Sequence, residues 1–269
     1  MDFLSREGSP IEKDLWNKID DNVISIAKRV LTGRKFLHLY GPLGAGAQSI
    51  NIDSVEIEEA EESPSVINGR KYVQIPLIYE DFSLLWRDLE MSEQNNLPLD
   101  LSAAAAAGAK IAKKEDEMIF LGNKKLGYEG LLTAEGIKKI KKGNWSEGEN
   151  PVMDISAGLT KFLEKGLVGR TALILSPNLL LQLQRIQQGT GITEYERLSK
   201  MVQGNIFSTP VIGNDKAILV NAEPQNMDLV IGQDIATSYL ETKDLNHYFR
   251  VLETVVPRIK NKDAVIVFE

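Results

Sequence analysis

The sequence has no cysteine, only two histidines, His38 and His247, and no long run of apolar residues. Without cysteine the chain can form no disulfide bond, thiolate nucleophile or thiolate metal site. Two histidines exclude a multi-histidine metal centre, so we predict no metal site. No apolar run approaches the roughly 20 residues of a membrane-spanning helix, and the N-terminus lacks the pattern of a secretory signal. These absences predict a protein of the cytoplasm with no membrane partner.

An excess of acidic residues also narrows the possible partners. The 269 residues include 31 Lys and Arg against 38 Asp and Glu, which leaves a formal net charge of −7. Nucleic-acid binding depends on clustered cations that neutralise phosphates, so we predict no nucleic-acid partner. Hydrophobic residues make up 43% and charged residues 26% of the chain, which are the proportions of a globular protein.

Catalytic motifs are missing as well. The glycine-rich turn over residues 41–46 lacks the Lys-Ser or Lys-Thr of a phosphate-binding Walker loop. Neither a Gly-x-Ser-x-Gly nucleophile elbow nor the Glu-x-x-His pattern of a di-iron bundle occurs, and a structural role is predicted for both histidines. Adjacent carboxylates such as Glu115 and Asp116, or Glu61 and Glu62, are interpreted as solvated faces because acidic residues are abundant. We therefore predict no catalytic residue.

Sequence patterns in the first half predict two helices and a strand. Ser9 and Pro10 match an N-cap followed by the first helical residue, and apolar residues at three-to-four spacing continue this helix to about Leu31. Its apolar stripe is wide enough for contacts on two sides. The alternation over residues 34–40 predicts a strand. The alanine-rich residues 99–121 predict a long helix whose small side chains permit close approach of a neighbour.

Two long extended segments predict a projecting β-arm. Residues 52–62 alternate apolar with acidic side chains, and residues 70–82 form the second extended stretch after a polar turn. An arm of this kind has too little chain around it to bury both faces, so we expect it to rest on another subunit. An ordinary surface hairpin stays open as the alternative interpretation.

The second half is predicted to consist of short α/β units after a surface loop over residues 133–150. Helices are expected at residues 153–164, 178–188 and 195–203, and strands at residues 171–175, 216–220, 228–231, 248–256 and 264–268. Together with the first half, this pattern indicates an α+β protein that oligomerises and has no visible active site.

Several short motifs in a fixed order point to one family. They are Asp2-Phe3-Leu4, Gly33-Arg34-Lys35-Phe36, Gly41-Pro42-Leu43-Gly44, Asp81-Phe82, Trp86-Arg87-Asp88-Leu89-Glu90 and Ile231-Gly232-Gln233-Asp234. In this order they closely resemble the encapsulin shell proteins of the linocin type (family 1), and the resemblance covers essentially the whole chain. It implies an α+β fold of the tailed-phage major capsid type (HK97 type), with a peripheral domain, an axial domain and an extended β-arm.

The resemblance also implies how the chain divides. Residues 1–51 would supply the N-terminal helix and the start of the peripheral domain, and residues 52–82 would form the extended arm. Residues 83–132 would continue the peripheral domain with its spine helix. Residues 133–225 would form the axial domain, and residues 226–269 would return to the peripheral domain.

By resemblance, copies of the chain form a hollow icosahedral nanocompartment. A cargo enzyme would be enclosed through a targeting peptide at its C-terminus, so that catalysis resides in the cargo and not in the shell. The motifs favour a ferritin-like or iron-mineralising cargo, with a role in iron storage and protection from oxidative stress, although a peroxidase-loading shell shares much of the pattern. A phage major capsid protein is one alternative. A hydrolase is another, but no serine has a recognisable histidine partner.

Family members hold the targeting peptide on the N-terminal helix and nearby late strands. By position, this places at or beside the docking groove Ile24, Ala27, Val30, Leu31, Arg34, His38, Asp234, Ile235 and Tyr239. The wide apolar stripe of the helix agrees with such a groove. An apolar groove flanked by Arg34 suits an extended, leucine-rich tail whose alternate side chains enter pockets.

Two further sites are implied by the resemblance alone. A loop of small and hydroxylic residues would line the pore and pass ions and small metabolites: Gln187, Gln188, Gly189, Thr190, Gly191, Ile192, Thr193 and Glu194. Some relatives bind flavin close to the aromatic position that corresponds to Trp86, which makes Trp86 a candidate flavin contact. The shell role itself requires no cofactor.

Overall fold

A computed structural model describes residues 2–52, 58–59, 66–67, 71–186 and 191–269, which form a mixed α and β structure. The helices are α1 (Lys13–Val30), α2 (Trp86–Asn95), α3 (Ser102–Phe120), α4 (Asn150–Glu164), α5 (Pro177–Gln182) and α6 (Glu194–Met201). The strands before α2 are β1 (His38–Tyr40), β2 (Ser49–Asn51), β3 (Glu58–Glu59), β4 (Val66–Ile67), β5 (Tyr72–Gln74) and β6 (Leu77–Leu84). The later strands are β7 (Gly122–Asn123), β8 (Tyr128–Glu129), β9 (Lys138–Ile140), β10 (Thr171–Leu175), β11 (Ile206–Ser208), β12 (Ala217–Asn221), β13 (Met227–Lys243), β14 (Asn246–Ile259) and β15 (Val265–Phe268).

Four strands form the first sheet, in the order β1-β13-β14-β6, with β1 parallel to β13 and the other pairs antiparallel. Helices α1 and α3 pack on each other and on this sheet. A Cβ on Gly108 of α3 would come 2.7 Å from the carbonyl oxygen of Val23 in α1. The helices therefore approach closely, as the small residues predict. Trp16 and Phe82 both pack on Phe249, with ring centroids 5.5 and 5.0 Å away, and so join α1 to the sheet.

Five strands form the second sheet, in the order β11-β10-β12-β15-β9. Its core is apolar and includes buried Trp145, Phe162, Leu173 and Phe268. The last strand, β15, pairs with β12 and β9, which lie in the part of the chain assigned by resemblance to the axial domain. Because all four residues of β15 are buried, the C-terminal end of the chain is a core strand of this second sheet, whereas β13 and β14 belong to the first.

The described part of the arm is a ladder of short strands. Strand β2 pairs with β5, and β3 pairs with β4, both antiparallel. The other predicted arm residues, 53–57, 60–65 and 68–70, lie outside the described residues. Residues 77–82, predicted as the end of the extended stretch, belong to β6 and pair with β14 in the first sheet. That the arm rests on another subunit stays a prediction.

The start of α1 differs from the prediction. Glu12 occupies the N-cap position, and Lys13 is the first helical residue. The prediction of Ser9 as N-cap and Pro10 as first helical residue is therefore wrong. The hydroxyl of Ser9 donates to a backbone carbonyl of the preceding turn and accepts a hydrogen bond from Nε1 of Trp16. The hydroxyl of Ser9 therefore binds Trp16, whereas the local pattern predicts that it caps the N-terminus of α1.

Residues 34–40 are only partly extended. Gly33–Lys35 forms a 3₁₀ turn, and the strand is limited to His38–Tyr40. The physical reason is the buried carboxylate of Asp116, which accepts hydrogen bonds from the backbone N–H groups of Thr32 and Gly33. These bonds hold the chain in a turn where alternation alone predicts a strand.

The predicted helices are confirmed except in length. The helix predicted at residues 99–121 is α3, and those at residues 153–164 and 195–203 are α4 and α6. The helix predicted at residues 178–188 ends earlier, since α5 stops at Gln182. Helix α2 was not predicted, because residues 86–90 were used only as a family motif.

The predicted late strands are longer than expected. The short strands expected at residues 228–231 and 248–256 are parts of the 17-residue β13 and the 14-residue β14. Register shifts between Ile231 and Glu241 bend this hairpin without ending it. Outside these ranges, the loop predicted over residues 133–150 also contains β9 and a fully buried Trp145.

Candidate functional site

A groove opens beside the C-terminal half of α1. The cavity has a volume of about 480 Å³, and the residues that line it are Ile24, Ala27, Lys28, Leu31, Arg34, Lys35, Leu39, Asp234 and Ile235. They come from α1, from the segment that follows it and from the middle of β13. We call this cavity the α1 groove. A larger cavity of about 640 Å³ between β6 and α3 contains none of the predicted site residues.

The helix supplies an apolar wall because its hydrophobic stripe is wider than its contact with the main core. Ala27 and Leu31 are buried against Ala112 of α3, with Ile235 of β13 packed beside them. Ile24 is 37% exposed at the groove. The prediction that the stripe of α1 makes contacts on two sides is confirmed, since one side faces the core and the other the groove.

Arg34 ties three elements together at the groove. Its Nε donates to both carboxylate oxygens of Glu115 on α3, at 2.8 and 3.0 Å. Its Nη1 donates to Oδ1 of Asp234 on β13 at 2.7 Å, and its Nη2 to Oε2 of Glu253 on β14 at 2.9 Å. The side chains of Glu115 and Glu253 are fully buried, whereas that of Asp234 is 56% exposed. We call these four residues the Arg34 cluster.

The prediction that Glu115 and Asp116 form a solvated face is wrong, because both are buried. Asp116 accepts hydrogen bonds from the N–H groups of Thr32 and Gly33 at 2.9 to 3.0 Å. Burial raises the pKa of Asp116 to about 6, and these backbone hydrogen bonds oppose the rise. A buried carboxylate needs such partners, so α3 fixes the turn that carries Arg34 into the groove.

Charge is unbalanced in the Arg34 cluster, where one cation meets three carboxylates. Burial raises the pKa of Glu253 well above its usual value, and the charge of Glu115 adds to the rise while that of Arg34 opposes it. Within the described part of the chain no donor reaches Oε1 of Glu253. Burial alone would lower the pKa of Arg34, but the hydrogen bond and charge of Glu115 outweigh it and the net shift is upward. The guanidinium of Arg34 therefore stays charged beside the three acidic side chains.

Two lysines stand at the mouth of the α1 groove. Lys28 and Lys35 are both exposed, and neither forms an ion pair with any residue the structure describes. Lys28 lies in the last turn of α1, where a cation interacts favourably with the helix dipole. The mouth of the groove thus carries two positive charges above an apolar wall.

The structure brings six of the nine predicted peptide contacts together. Those that line the α1 groove are Ile24, Ala27, Leu31, Arg34, Asp234 and Ile235. Sequence reasoning missed Lys28, Lys35 and Leu39. Lys28 could have been found, because it lies four residues after Ile24 and so on the same helix face. That these residues bind a peptide stays a prediction.

The other three predicted contacts lie elsewhere. Val30 is exposed on α1 without lining the groove, and His38 lines a separate depression with Arg170 and Glu223. His38 and Leu39 are successive strand residues, so their side chains point to opposite faces and only one can enter the groove. The hydroxyl of Tyr239 is hydrogen bonded to Nδ1 of His247 at 3.0 Å.

His247 itself is the second residue of β14. Its backbone pairs with Leu84 on one side and with Thr242 on the other. Burial lowers the pKa of His247. These contacts agree with the structural role predicted for this histidine.

Part of the predicted pore loop can be described. Residues 187–190 (Gln187, Gln188, Gly189 and Thr190) lie outside the described residues. Thr193 forms a capping box with Glu196 at the start of α6: the hydroxyl of Thr193 accepts from the N–H of Glu196, and the N–H of Thr193 donates to Oε2 of Glu196. The carboxylate of Glu194 is buried, 3.6 Å from Arg197. These two residues therefore form the start of α6, and a pore role for residues 187–194 stays a prediction.

Trp86 is the first residue of α2. Its N–H donates to Oδ1 of Asn246 at 3.1 Å, and its ring is 37% exposed with the guanidinium of Arg87 5.5 Å from its centroid. An exposed ring beside a cation suits stacking of a flat, anionic molecule, which fits flavin without being specific to it. A flavin contact at Trp86 stays a prediction.

Two further features of the chain concern membrane and metal binding. Over the described ranges, no helix has the length and apolar character needed to cross a bilayer. Within the same part of the chain, no three His, Cys, Asp or Glu side chains are grouped so that they could hold a metal ion.

Comparison with known proteins identifies relatives over nearly the whole chain. A family model described as "Encapsulating protein for peroxidase" matches residues 1–256. The type 1 encapsulin shell protein EncA of Myxococcus xanthus is 38% identical over 277 residues, covering 100% of this chain and 96% of that protein. A ferritin-like-encapsulin shell fusion protein of Pyrococcus furiosus is 28% identical and covers 82% of this chain and 59% of that protein.

Solved structures show the same fold. The virus-like particle from Pyrococcus furiosus has a TM-score of 0.77 and 25% identity, covering 95% of this chain and 100% of that chain. The capsid of Myoviridae phage XM1 has a TM-score of 0.63 and 14% identity, covering 88% and 91%. The predicted α+β fold of the phage capsid type is confirmed, and the names of the relatives confirm a structural chain and not an enzyme. With a family model matched over residues 1–256 and 38% identity over its full length, the chain belongs to the family of type 1 encapsulin shell proteins.

Proposed function

We propose that copies of this chain assemble into a hollow icosahedral shell in the cytoplasm, and that the α1 groove holds the C-terminal targeting peptide of a cargo protein. The observation that carries the second part is the convergence of six predicted contacts on one cavity. Their positions are implied by family resemblance, whereas the cavity follows from the packing of α1 against β13. Two independent lines of reasoning therefore select the same surface.

The chemistry of the groove suits an extended apolar peptide. Ile24, Leu31 and Ile235 offer aliphatic contact, and alternate side chains of an extended segment point to the same side. Such a peptide would enter the groove with every second residue, the usual way in which grooves read extended segments. Lys28 and Lys35 at the mouth favour a tail with a negative charge, such as its terminal carboxylate.

The names of relatives support a ferritin-like or iron-mineralising cargo. In Pyrococcus furiosus, one chain is named as a fusion of a ferritin-like protein with an encapsulin shell. A shell that surrounds such a cargo would serve iron storage and protection from oxidative stress. A peroxidase is the competing cargo, because the family model is described by its encapsulation of peroxidase.

Access to the cargo would require a pore. We assign it to residues 187–194, where the described end is held by the Thr193 capping box. A narrow ring of small and hydroxylic residues would admit ions and small metabolites and exclude proteins.

The first experiment is electron microscopy of the chain expressed alone, and then with a ferritin-like protein that carries or lacks its own C-terminal tail. Uniform empty shells that fill only when the tail is present are the expected result. A discrete small oligomer would contradict the shell, and particles filled with nucleic acid would favour a phage capsid.

A pair of variants tests the groove. Leu31→Asp places a charge on the buried wall of the α1 groove and should abolish loading. Val30→Asp is the matched control, because Val30 neighbours Leu31 on α1 without lining the groove. Equal loading by intact shells of both variants would remove the groove assignment.

A further inference from the structure

The edge of β13 that faces away from β14 is occupied along most of its length. Strand β1 pairs with its first residues, Asp228 to Val230. The N–H groups of Leu43 and Gly44 then donate to the carbonyls of Ile231 and Gly232, both at 2.9 Å. Two short segments that follow α1 in the chain therefore cover the first part of this edge.

The N-terminal segment covers the same edge further along. Nε of Arg6 donates to the carbonyl of Thr237 at 2.8 Å, and the N–H of Tyr239 donates to the carbonyl of Leu4 at 2.9 Å. Thr237 and Tyr239 are two residues apart, as expected for groups that point to one edge of a strand. Ile235 lies two residues before Thr237 and has no partner in the pairing of β13 with β14.

Ile235 lies between the two covered stretches of this edge, where the described segments leave the backbone of β13 uncovered. No neighbouring backbone segment within the described ranges bonds to it on this edge. Its N–H instead donates to Oδ1 of the adjacent Asp234 at 2.8 Å, the same oxygen that accepts from Nη1 of Arg34 at 2.7 Å. Gln233 and Ala236, which flank the pair, mark a register shift in the pairing with β14. The gap therefore coincides with a β-bulge that opens into the α1 groove.

We propose that the cargo tail binds by adding a short strand at Ile235, with its backbone taking over the N–H that the carboxylate of Asp234 holds in the free chain. This inference rests on the proposed cargo-docking function and specifies its geometry. Backbone pairing would supply affinity for any extended tail, while side chains that enter the groove would supply specificity. Because the edge is covered on both sides, only about two backbone hydrogen bonds can form.

The Arg34 cluster suits this exchange. Asp234 is its exposed member and contacts Ile235 through one oxygen, so a small rotation releases the N–H. Arg34 stays in place, because the buried Glu115 and Glu253 hold the rest of its guanidinium. Asp234 can therefore release the N–H of Ile235 and keep its ion pair with Arg34. Asp234 is then the acceptor that competes with the tail, and Arg34 is the residue that positions Asp234.

A proline scan of the tail tests the pairing. The probe is a fluorescent protein that carries the shortest ferritin-like cargo tail found to load the wild-type shell. Each tail residue is changed to Pro and, as the matched control, to Ala, and fluorescence per assembled shell is measured after co-expression. In a paired strand the tail residue that accepts from the N–H of Ile235 also donates its own N–H to the carbonyl of Ile235. Proline removes that donating N–H and keeps an extended chain. We expect one position at which Pro lowers loading at least roughly fivefold and Ala does not, with Pro tolerated at its two neighbours.

Variants of the shell test the role of Asp234. Asp234→Ala leaves the N–H of Ile235 without its acceptor, so loading at limiting reporter should rise roughly fivefold. Asp234→Asn keeps an oxygen acceptor for the N–H of Ile235, so its loading should rise less than that of Asp234→Ala. Unchanged or reduced loading by Asp234→Ala would overturn its role as the competing acceptor.

The outcomes separate the two proposals. If no cargo tail loads the wild-type shell, the proposed function fails and the strand pairing fails with it. If a tail loads the shell and is lost in Leu31→Asp, but Pro is tolerated wherever Ala is, only the strand pairing is overturned.

Discussion

The two sheets of this chain are stabilised in different ways. The first sheet, with α1 and α3, buries charges: Glu115 and Glu253 around Arg34, and Asp228 in a bidentate pair with Arg258 at 2.6 and 2.8 Å. The second sheet is built around aromatic and aliphatic side chains. Buried charges cost solvation and add little stability compared with apolar packing. The two halves therefore differ in how they are held together, because the Arg34 cluster and the Asp228–Arg258 pair both belong to the half built on the first sheet.

The largest effect is expected from Arg34→Ala. Removing the cation leaves Glu115 and Glu253 buried without a partner, which should lower the free energy of unfolding by roughly 3–5 kcal/mol. Urea unfolding at fixed protein concentration measures it. A loss of less than about 1 kcal/mol would mean that water reaches these carboxylates, and the contrast between the two sheets would weaken.

A cavity in the second sheet should be nearly as damaging but leave binding intact. Leu173→Ala removes a fully buried side chain from the core of that sheet and should cost about 2–5 kcal/mol in stability. Leu181→Ala, at a residue 73% exposed in the single chain, is the control for side-chain size. Cargo loading per assembled shell should be unchanged, and a clear drop would show that the two halves are coupled.

Stability should depend on pH through Asp116. Its folded pKa, about 6, lies above the ordinary value of 3.8, so between these values the folded chain holds more protons than the unfolded chain. The contribution of Asp116 therefore falls as pH rises from about 4 to 6, by up to about 3 kcal/mol, and is constant above that. Asp116→Asn should lack this slope when urea unfolding is compared from pH 4.5 to pH 7.5. If the free energy of unfolding of the wild type rose relative to that of Asp116→Asn as pH increased, the predicted direction would be wrong.

The smallest effect is expected from an exposed ion pair. Lys165 and Asp263 lie 2.8 Å apart with side chains about half exposed. Because solvent screens such pairs, Lys165→Ala should change the free energy of unfolding by less than about 1 kcal/mol. Thermal unfolding of Lys165→Ala and Arg34→Ala under the same conditions compares the two losses of stability. A loss in Lys165→Ala as large as that in Arg34→Ala would show that burial does not distinguish the Arg34 cluster.

Local patterns predicted the elements better than the contacts between them. The alanine-rich α3 and the wide stripe of α1 follow from residues close together in the chain, and both are confirmed. The hydroxyl of Ser9 went to Trp16 and not to the helix N-cap, because a tertiary contact outweighed a local one. The extent of β13 was missed because bulges interrupt the period of two on which strand prediction depends.

Only part of the candidate site was predicted, because burial and tertiary contacts leave little trace in local sequence patterns. Six groove residues were named from the resemblance, but Glu115 was interpreted as solvated, since a charged residue in a helix has no local sign of burial. Lys28 shares a helix face with Ile24 and was within reach of sequence reasoning. That Leu39 and not His38 lines the groove could be decided only from the orientation of β1 in the sheet.

The sequence by itself determined the family, the exclusion of cysteine chemistry and the main helices, because composition, motif order and periodicity are properties of neighbouring residues. Only the tertiary structure decided that Arg34 meets Asp234, 200 positions away along the chain, and that Glu115 and Glu253 join them out of water. Burial and long-range pairing depend on how whole elements pack, and no local pattern encodes them. The backbone gap at Ile235 belongs to the same class, because it exists only where other segments cover the rest of the strand.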